Sequence, residues 1–135
     1  MERDKIIIAS AILLNEKKEM LTVRKKTSVY YMLPGGKIEK GEQLMDALLR
    51  ELWEELNIKF TAEDFDYLGQ HETDAVNEKN TIVQGNIFVL KQPLRQKINP
   101  HAELAEVQFI SKENYKEFRL AHLLEEFALP YFLTC

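Results

Sequence analysis

At 135 residues, with 45% hydrophobic and 30% charged content, the chain is long enough to bury one core and too short for two, so a single domain over 1–135 is expected. A formal net charge of −4 excludes a protein that coats a nucleic acid polymer, because that needs a basic footprint. The one cysteine, Cys135, is the last residue, which excludes an internal disulfide and fits a reducing, cytoplasmic setting.

Residues 6–14 are apolar apart from Ser10. That run is about half of what a membrane span requires, and no signal-peptide pattern surrounds it, so a buried strand and no membrane are expected. After the polar stretch 15–19, residues 20–26 predict a second strand, paired with the first as a hairpin. The short apolar piece 30–33 stops at Pro34-Gly35-Gly36, where a fixed proline φ and two permissive glycines predict a sharp turn with outward carbonyls.

A helix is predicted over about 43–57, with Met45, Leu48, Leu49, Leu52 and Leu56 on one apolar stripe. Glu51, Glu54 and Glu55 fall on an adjacent arc of roughly 100°, and Ala47 sits one turn earlier with room for a ligand. Asn57 is placed to end the helix in the left-handed conformation. Farther on, strands are expected at 58–60, 65–72, 81–90 and 106–110, an exposed loop at 73–80, and helical periodicity over 112–128. Strands mixed with two helices separated in sequence imply an α+β or α/β sandwich.

Three carboxylates on one helix face repel one another by a few tenths of a kcal/mol per pair in water. A divalent cation would remove that penalty, and hard oxygen ligands select Mg²⁺, Mn²⁺ or Ca²⁺ over zinc. The competing reading is a solvated acidic face with Arg50 paired to Glu54.

The segment from Gly36 to Ile58 resembles the signature of the Nudix hydrolase superfamily. That signature runs Gly, five residues, Glu, seven residues, Arg-Glu, apolar, any, Glu-Glu, any, Gly, apolar. Gly36, Glu42, Arg50, Glu51, Leu52, Glu54, Glu55 and Ile58 all match, and Asn57 stands where the family has Gly. Leu33-Pro34-Gly35-Gly36 is similar to the usual lead-in, and residues 103–109 resemble a later family segment with Phe109 in place of Trp.

The resemblance implies an α/β/α sandwich with a central mixed sheet and Mg²⁺-dependent hydrolysis (Mn²⁺ as substitute) of a nucleoside diphosphate derivative. Carried over by position, it implies Glu51, Glu55 and the Gly36 carbonyl as metal ligands, with Glu54 as a ligand or as acceptor of the water's proton. Arg50 would orient the carboxylates, and Glu42 would join the cluster or support the loop. Glu103 would be base, extra ligand or an ordinary loop carboxylate. Two other outcomes of the same fold are a non-catalytic nucleotide sensor and an isoprenoid diphosphate isomerase. The latter usually recruits a cysteine, and here only Cys135 exists.

For the substrate, Arg24, Lys25 and Lys26 are placed to meet phosphates or to end a solvated strand. Tyr30 and Tyr31 either stack on a base or join the core. Gln84 and Asn86 share a strand face and are candidates to read a base edge. His71, His101 and His122 lack metal-ligand spacing. Substrate choice is expected from the loops 28–32 and 73–80, and the apolar tail 129–133 is compatible with a homodimer.

Overall fold

Strand β1 (Asp4–Ile12) is apolar on both sides because both of its edges and both of its faces are used, as in a parallel pairing. The computed structural model describes residues 3–135. On one edge β1 runs parallel to β5 (Thr81–Leu90); on the other it pairs antiparallel with β3 (Gly35–Lys37). Strand β4 (Phe65–Asp74) closes the far side antiparallel to β5, giving a mixed sheet in the order β3-β1-β5-β4. Strands β2 (Met20–Lys25) and β6 (Leu104–Ile110) form a separate antiparallel pair.

The hairpin expected between residues 5–14 and 20–26 is therefore not formed. With both β1 edges taken, β2 keeps only a bridge from Met20 to Leu14 and a bond from Leu21 N–H to the Leu13 carbonyl, and then pairs with β6. The Pro34-Gly35-Gly36 turn is also corrected: a bend at Pro34 leads directly into β3. Gly35 has φ +140, and a Cβ there would stand 2.6 Å from Ser10 Cα, so only glycine fits.

Helix α1 (Leu44–Leu56) packs its stripe of Leu48, Leu52 and Leu56 onto the sheet face that carries Ala9, Ala11 and Phe88. Complete burial of one such leucine stabilises by about 1.5–3 kcal/mol. Ala47 belongs to this core and is fully buried, so it leaves no room for a ligand, contrary to the expectation. Asn57 ends the helix at φ 55, ψ 36 and donates its N–H to the Trp53 carbonyl, as predicted. No strand forms at 58–60; Phe60 instead packs edge-on against Phe65 at 5.3 Å.

The opposite sheet face is covered from the C-terminal end of the chain. The helix expected over 112–128 starts later, because Ser111 and Asn114 bond each other's backbone and close a turn. A 3-10 turn follows at Tyr115–Glu117, and Leu120 then bridges to Tyr31. Residues Leu124–Ala128 are π-helical and continue as α2 (Leu129–Leu133), where Pro130 has no N–H to continue the ladder. Gly85 admits this segment closely: a Cβ there would lie 2.5 Å from a Leu123 methyl. Leu124, Leu129 and Phe132 are buried against Ile12 and Ile87, while Leu133 of the same apolar tail stays exposed. Among the described residues no helix is long and apolar enough to cross a membrane.

Because Asn57 already holds the left-handed position, Asn57→Gly is expected to leave stability within about 0.5 kcal/mol. Asn57→Ala should cost about 1 kcal/mol. Urea unfolding of the two variants checks this; equal stability of Ala and Asn would show that the cap contributes nothing.

Candidate active site

One guanidinium gathers Glu51 and Glu54 of α1 with Glu42 from the turn before it. Arg50, a quarter exposed, holds Glu42 with both arms, Nε to Oε2 at 2.9 Å and Nη2 to Oε1 at 3.0 Å. Its Nη1 donates to Glu51 at 2.6 Å and stands 3.5 Å from Glu54, while Nη2 also reaches the Lys37 carbonyl at 3.1 Å. Such a planar fork suits several carboxylates at once, and lysine would not replace it. The helix thus docks on β3 through charge as well as packing. The expected Arg50–Glu54 pair is present but is the longest of these contacts, and Glu54 remains about half exposed.

These environments separate the carboxyls. Arg50 and the Glu39 N–H lower Glu42 to about 2, while Arg50 itself is raised by Glu42. Burial raises Glu51, against the pull of Arg50. Glu55 is 7% exposed and accepts a bond from the Gly35 N–H at 3.1 Å; burial pushes it up to about 8. Gly36 lies so close to the helix that a Cβ would stand 2.5 Å from Glu51 Oε1. Glu103 is exposed on the loop before β6, and its charge raises both Glu51 and Glu55.

Glu55 faces a cavity of about 130 Å³ that runs across the sheet face opposite the α1 core. Lys25, Lys37 and the two glycines of β3 line it along with Glu55. Other walls come from Ile8, Val83 and Leu123, from the 73–78 segment, and from His122. The substrate loops anticipated at 28–32 and 73–80 are thus both represented, through Met32 and through 73–78. His122 was passed over in the sequence for want of a motif; its Nδ1 lies 2.9 Å from the Asp74 carbonyl.

Other expected contacts lie elsewhere. Arg24 does not line the cavity; it binds Glu106 at 2.8 Å and the Ser28 carbonyl at 2.9 Å. Tyr31 donates its hydroxyl to Glu106 and packs edge-on against Phe118. Gln84 and Asn86 do share a strand face, but Val83 and Gly85 turn toward the cavity side, so the two amides point the other way. There Gln84 meets Glu72, and Asn86, 2% exposed, is bonded to Tyr67, Gln70 and the Ile8 carbonyl.

Among the described residues no three Asp, Glu, His or Cys side chains are gathered as a closed metal cage. Glu51 and Glu54 are turned onto Arg50 instead. The donor set still fits a hard divalent cation, since Mg²⁺ takes one or two carboxylates and fills its remaining positions with water and phosphate. A buried carboxylate beside exposed backbone, as Glu55 and β3 provide, is where such a charge is accommodated.

With this fold and carboxylate set in place, the comparison with known proteins agrees: residues 4–129 match the model of the NUDIX domain. The chain belongs to that family, whose hydrolases act on nucleotide derivatives. Among curated proteins it is 40% identical over 47 residues to the "Putative 8-oxo-dGTP diphosphatase" of Bacillus subtilis (strain 168). That match covers 35% of this chain and 32% of the relative, about a third of its length. Of solved structures, the MutT protein of Methanosarcina mazei Go1 superposes with a TM-score of 0.79 at 24% identity, covering 99% of this chain and 96% of that one. A bifunctional NMN adenylyltransferase/ADP ribose pyrophosphatase of Francisella tularensis, complexed with AMP and Mn ion, gives 0.73 at 24% identity, covering 98% and 42%.

In the metal-free protein the Glu42 carboxyl is expected to titrate near pH 2. Because its folded value lies below the ordinary 4.5, the stability it contributes is present above that value and is lost as pH falls toward 2. Carbon-13 NMR of the glutamate carboxyls checks this, and Arg50→Met should return Glu42 toward 4.5. A Glu42 signal already near 4.5 in the wild type would show that Arg50 does not hold it.

Proposed function

We propose that this chain, acting as a single Nudix domain, hydrolyses the diphosphate linkage of a nucleoside diphosphate derivative with Mg²⁺, releasing a nucleoside monophosphate. The observation that carries this reading is the placement of the Glu55 carboxylate against the Gly35 backbone in the cavity wall, with the Glu51 carboxylate packed against Gly36 beside it. Glu51, Glu55 and the Gly36 carbonyl would hold the cation, with Glu54 nearby. When bound, a hard divalent cation supplies charge for the diphosphate oxygens and acidifies a water molecule.

The chain's own groups account for the rest. Water adds to one phosphorus, the anhydride P–O bond breaks, and the water's proton passes to a carboxylate within hydrogen-bond reach. Glu54 suits that role because it is half exposed and only weakly engaged by Arg50; Glu103 is the second candidate, since its charge reaches the same cluster. Arg50 keeps Glu42 and Glu51 in place and so orients rather than reacts. Lys25 and Lys37 line the cavity near Glu55, where they meet phosphate charge. The organic end of the substrate then lies toward the 73–78 segment and His122. Cys135 is bonded to the Tyr131 carbonyl and does not line the cavity, which gives no support to cysteine-dependent isomerisation.

The test is phosphate-product release with Mg²⁺ over a panel of canonical and oxidised nucleoside triphosphates, ADP-ribose, NADH, nucleotide sugars and dinucleoside polyphosphates. One substrate class should stand out, EDTA should abolish its turnover, and Glu55→Gln should lower kcat at least about 100-fold. Turnover that survives both EDTA and Glu55→Gln would sink the assignment.

A further inference from the structure

Three segments around the cavity are joined by a chain of hydrogen bonds that the proposed chemistry does not use. Its hub is Glu106 on β6. A single oxygen, Oε1, accepts from Arg24 Nε at 2.8 Å and from the Tyr31 hydroxyl at 2.6 Å. Arg24 Nη1 donates onward to the Ser28 carbonyl at 2.9 Å. Ser28 is 5% exposed, and its side chain meets that of Asn77 at 3.2 Å. Asn77 lines the cavity. The end of β2, the 26–33 connection and the 75–80 loop are therefore tied through one carboxylate.

The backbone shows why an anchor is needed there. From Met20 to Arg24 the β2–β6 register is continuous, and Arg24 faces Glu106. The next residue, Lys25, faces Leu104, so Ala105 is an extra residue on β6. A bulge breaks the ladder, and side-chain contacts must then fix the strand direction. Beyond the break Lys26 N–H reaches the Glu103 carbonyl, while Lys25 lines the cavity close enough for its charge to act on Glu55. Glu106 is the last in-register residue before the shift. Arg24 and Glu106 are only 27% and 34% exposed, so solvent screens this pair less than an ordinary surface pair. The Tyr31 hydroxyl and Arg24 both favour its ionised form.

We propose that Glu106 is a positioning residue which, through Arg24 and Tyr31, fixes the end of β2 beside the β6 bulge so that Lys25 presents its ammonium to the phosphate end of the cavity. This rests on the diphosphate-site reading above and adds to it the group that holds the Lys25 ammonium in place. Glu106 itself never touches the ligand, so its substitution acts only through Lys25.

The experiment is a double-mutant cycle read by calorimetric binding of inorganic pyrophosphate with Mg²⁺ to the full chain, at low salt. Lys25→Met should weaken binding about tenfold. Glu106→Gln should weaken it about three- to fivefold, and Tyr31→Phe, which removes one hydrogen bond and no charge, about twofold. In the Lys25→Met background neither second substitution should weaken binding further. Fully additive effects, an unchanged affinity in both clamp variants, or a wild type that does not bind pyrophosphate would each overturn the proposal. Should Glu106→Gln fail to fold, the Tyr31→Phe cycle decides alone. Turnover is scored separately: no hydrolysis of any substrate with this binding pattern intact overturns the hydrolase reading and leaves the clamp standing.

Discussion

The site depends on how closely the β3 backbone approaches its two neighbours. Gly35 backs onto Ser10 of β1, and Gly36 faces the Glu51 carboxylate of α1 with no space for a side chain on either glycine. A Cβ at either position would push β3 out of the gap between strand and helix. With β3 seated, its Gly35 N–H meets Glu55 and its Lys37 carbonyl meets Arg50. The residues that let the strand in are therefore those that decide where the carboxylates point.

Seating the helix this way gathers like charges, and the fold handles them by two different physical means. Glu42 and Glu51 share one guanidinium, so their repulsion is offset inside the cluster. Glu55 has burial instead, and burial disfavours its charge. Two carboxyls on adjoining structure thus sit near 2 and near 8. Environments that push such groups apart are how one fold assigns different tasks to the same residue type. The apolar stripe of Leu48, Leu52 and Leu56 makes this possible, because it fixes the rotation of α1 about its own axis.

Legibility in the sequence followed the range of the interaction. The 81–90 strand, the α1 stripe and the Asn57 cap are set by local periodicity and backbone preference, and all three were readable. The hairpin of residues 5–14 with 20–26 failed because strand pairing is decided by which edges remain open, and only β5 and β3 together close β1. The 112–128 periodicity failed because side-chain bonds at Ser111 and Asn114 compete with a helix start. Within the site, the Nudix spacing singled out Gly36, Glu42, Arg50, Glu51, Glu54 and Glu55, since they lie on one short segment. Arg24, Gln84 and Asn86 are different: their surroundings come from strands far away in the chain, and no local pattern told which sheet face they would share. His122 carries no motif at all; it lines the cavity next to Leu123, which packs close over Gly85.

The two ends of the cavity are built from different materials. At the Glu55 end, helix side chains and strand backbone are locked by packing and by Arg50. At the other end, the wall comes from the 73–78 segment and the 26–33 connection, whose geometry depends on the Ser28–Asn77 contact. Those loops also hang, through Arg24, on Glu106. That chain ends beside Lys25, so in the proposed hydrolysis a loop change at the organic end of the substrate also shifts the lysine proposed to meet its phosphates. The carboxylate motif carries no information about this chain of contacts, because Ser28, Asn77 and the β6 bulge all lie outside the spacing from Gly36 to Ile58.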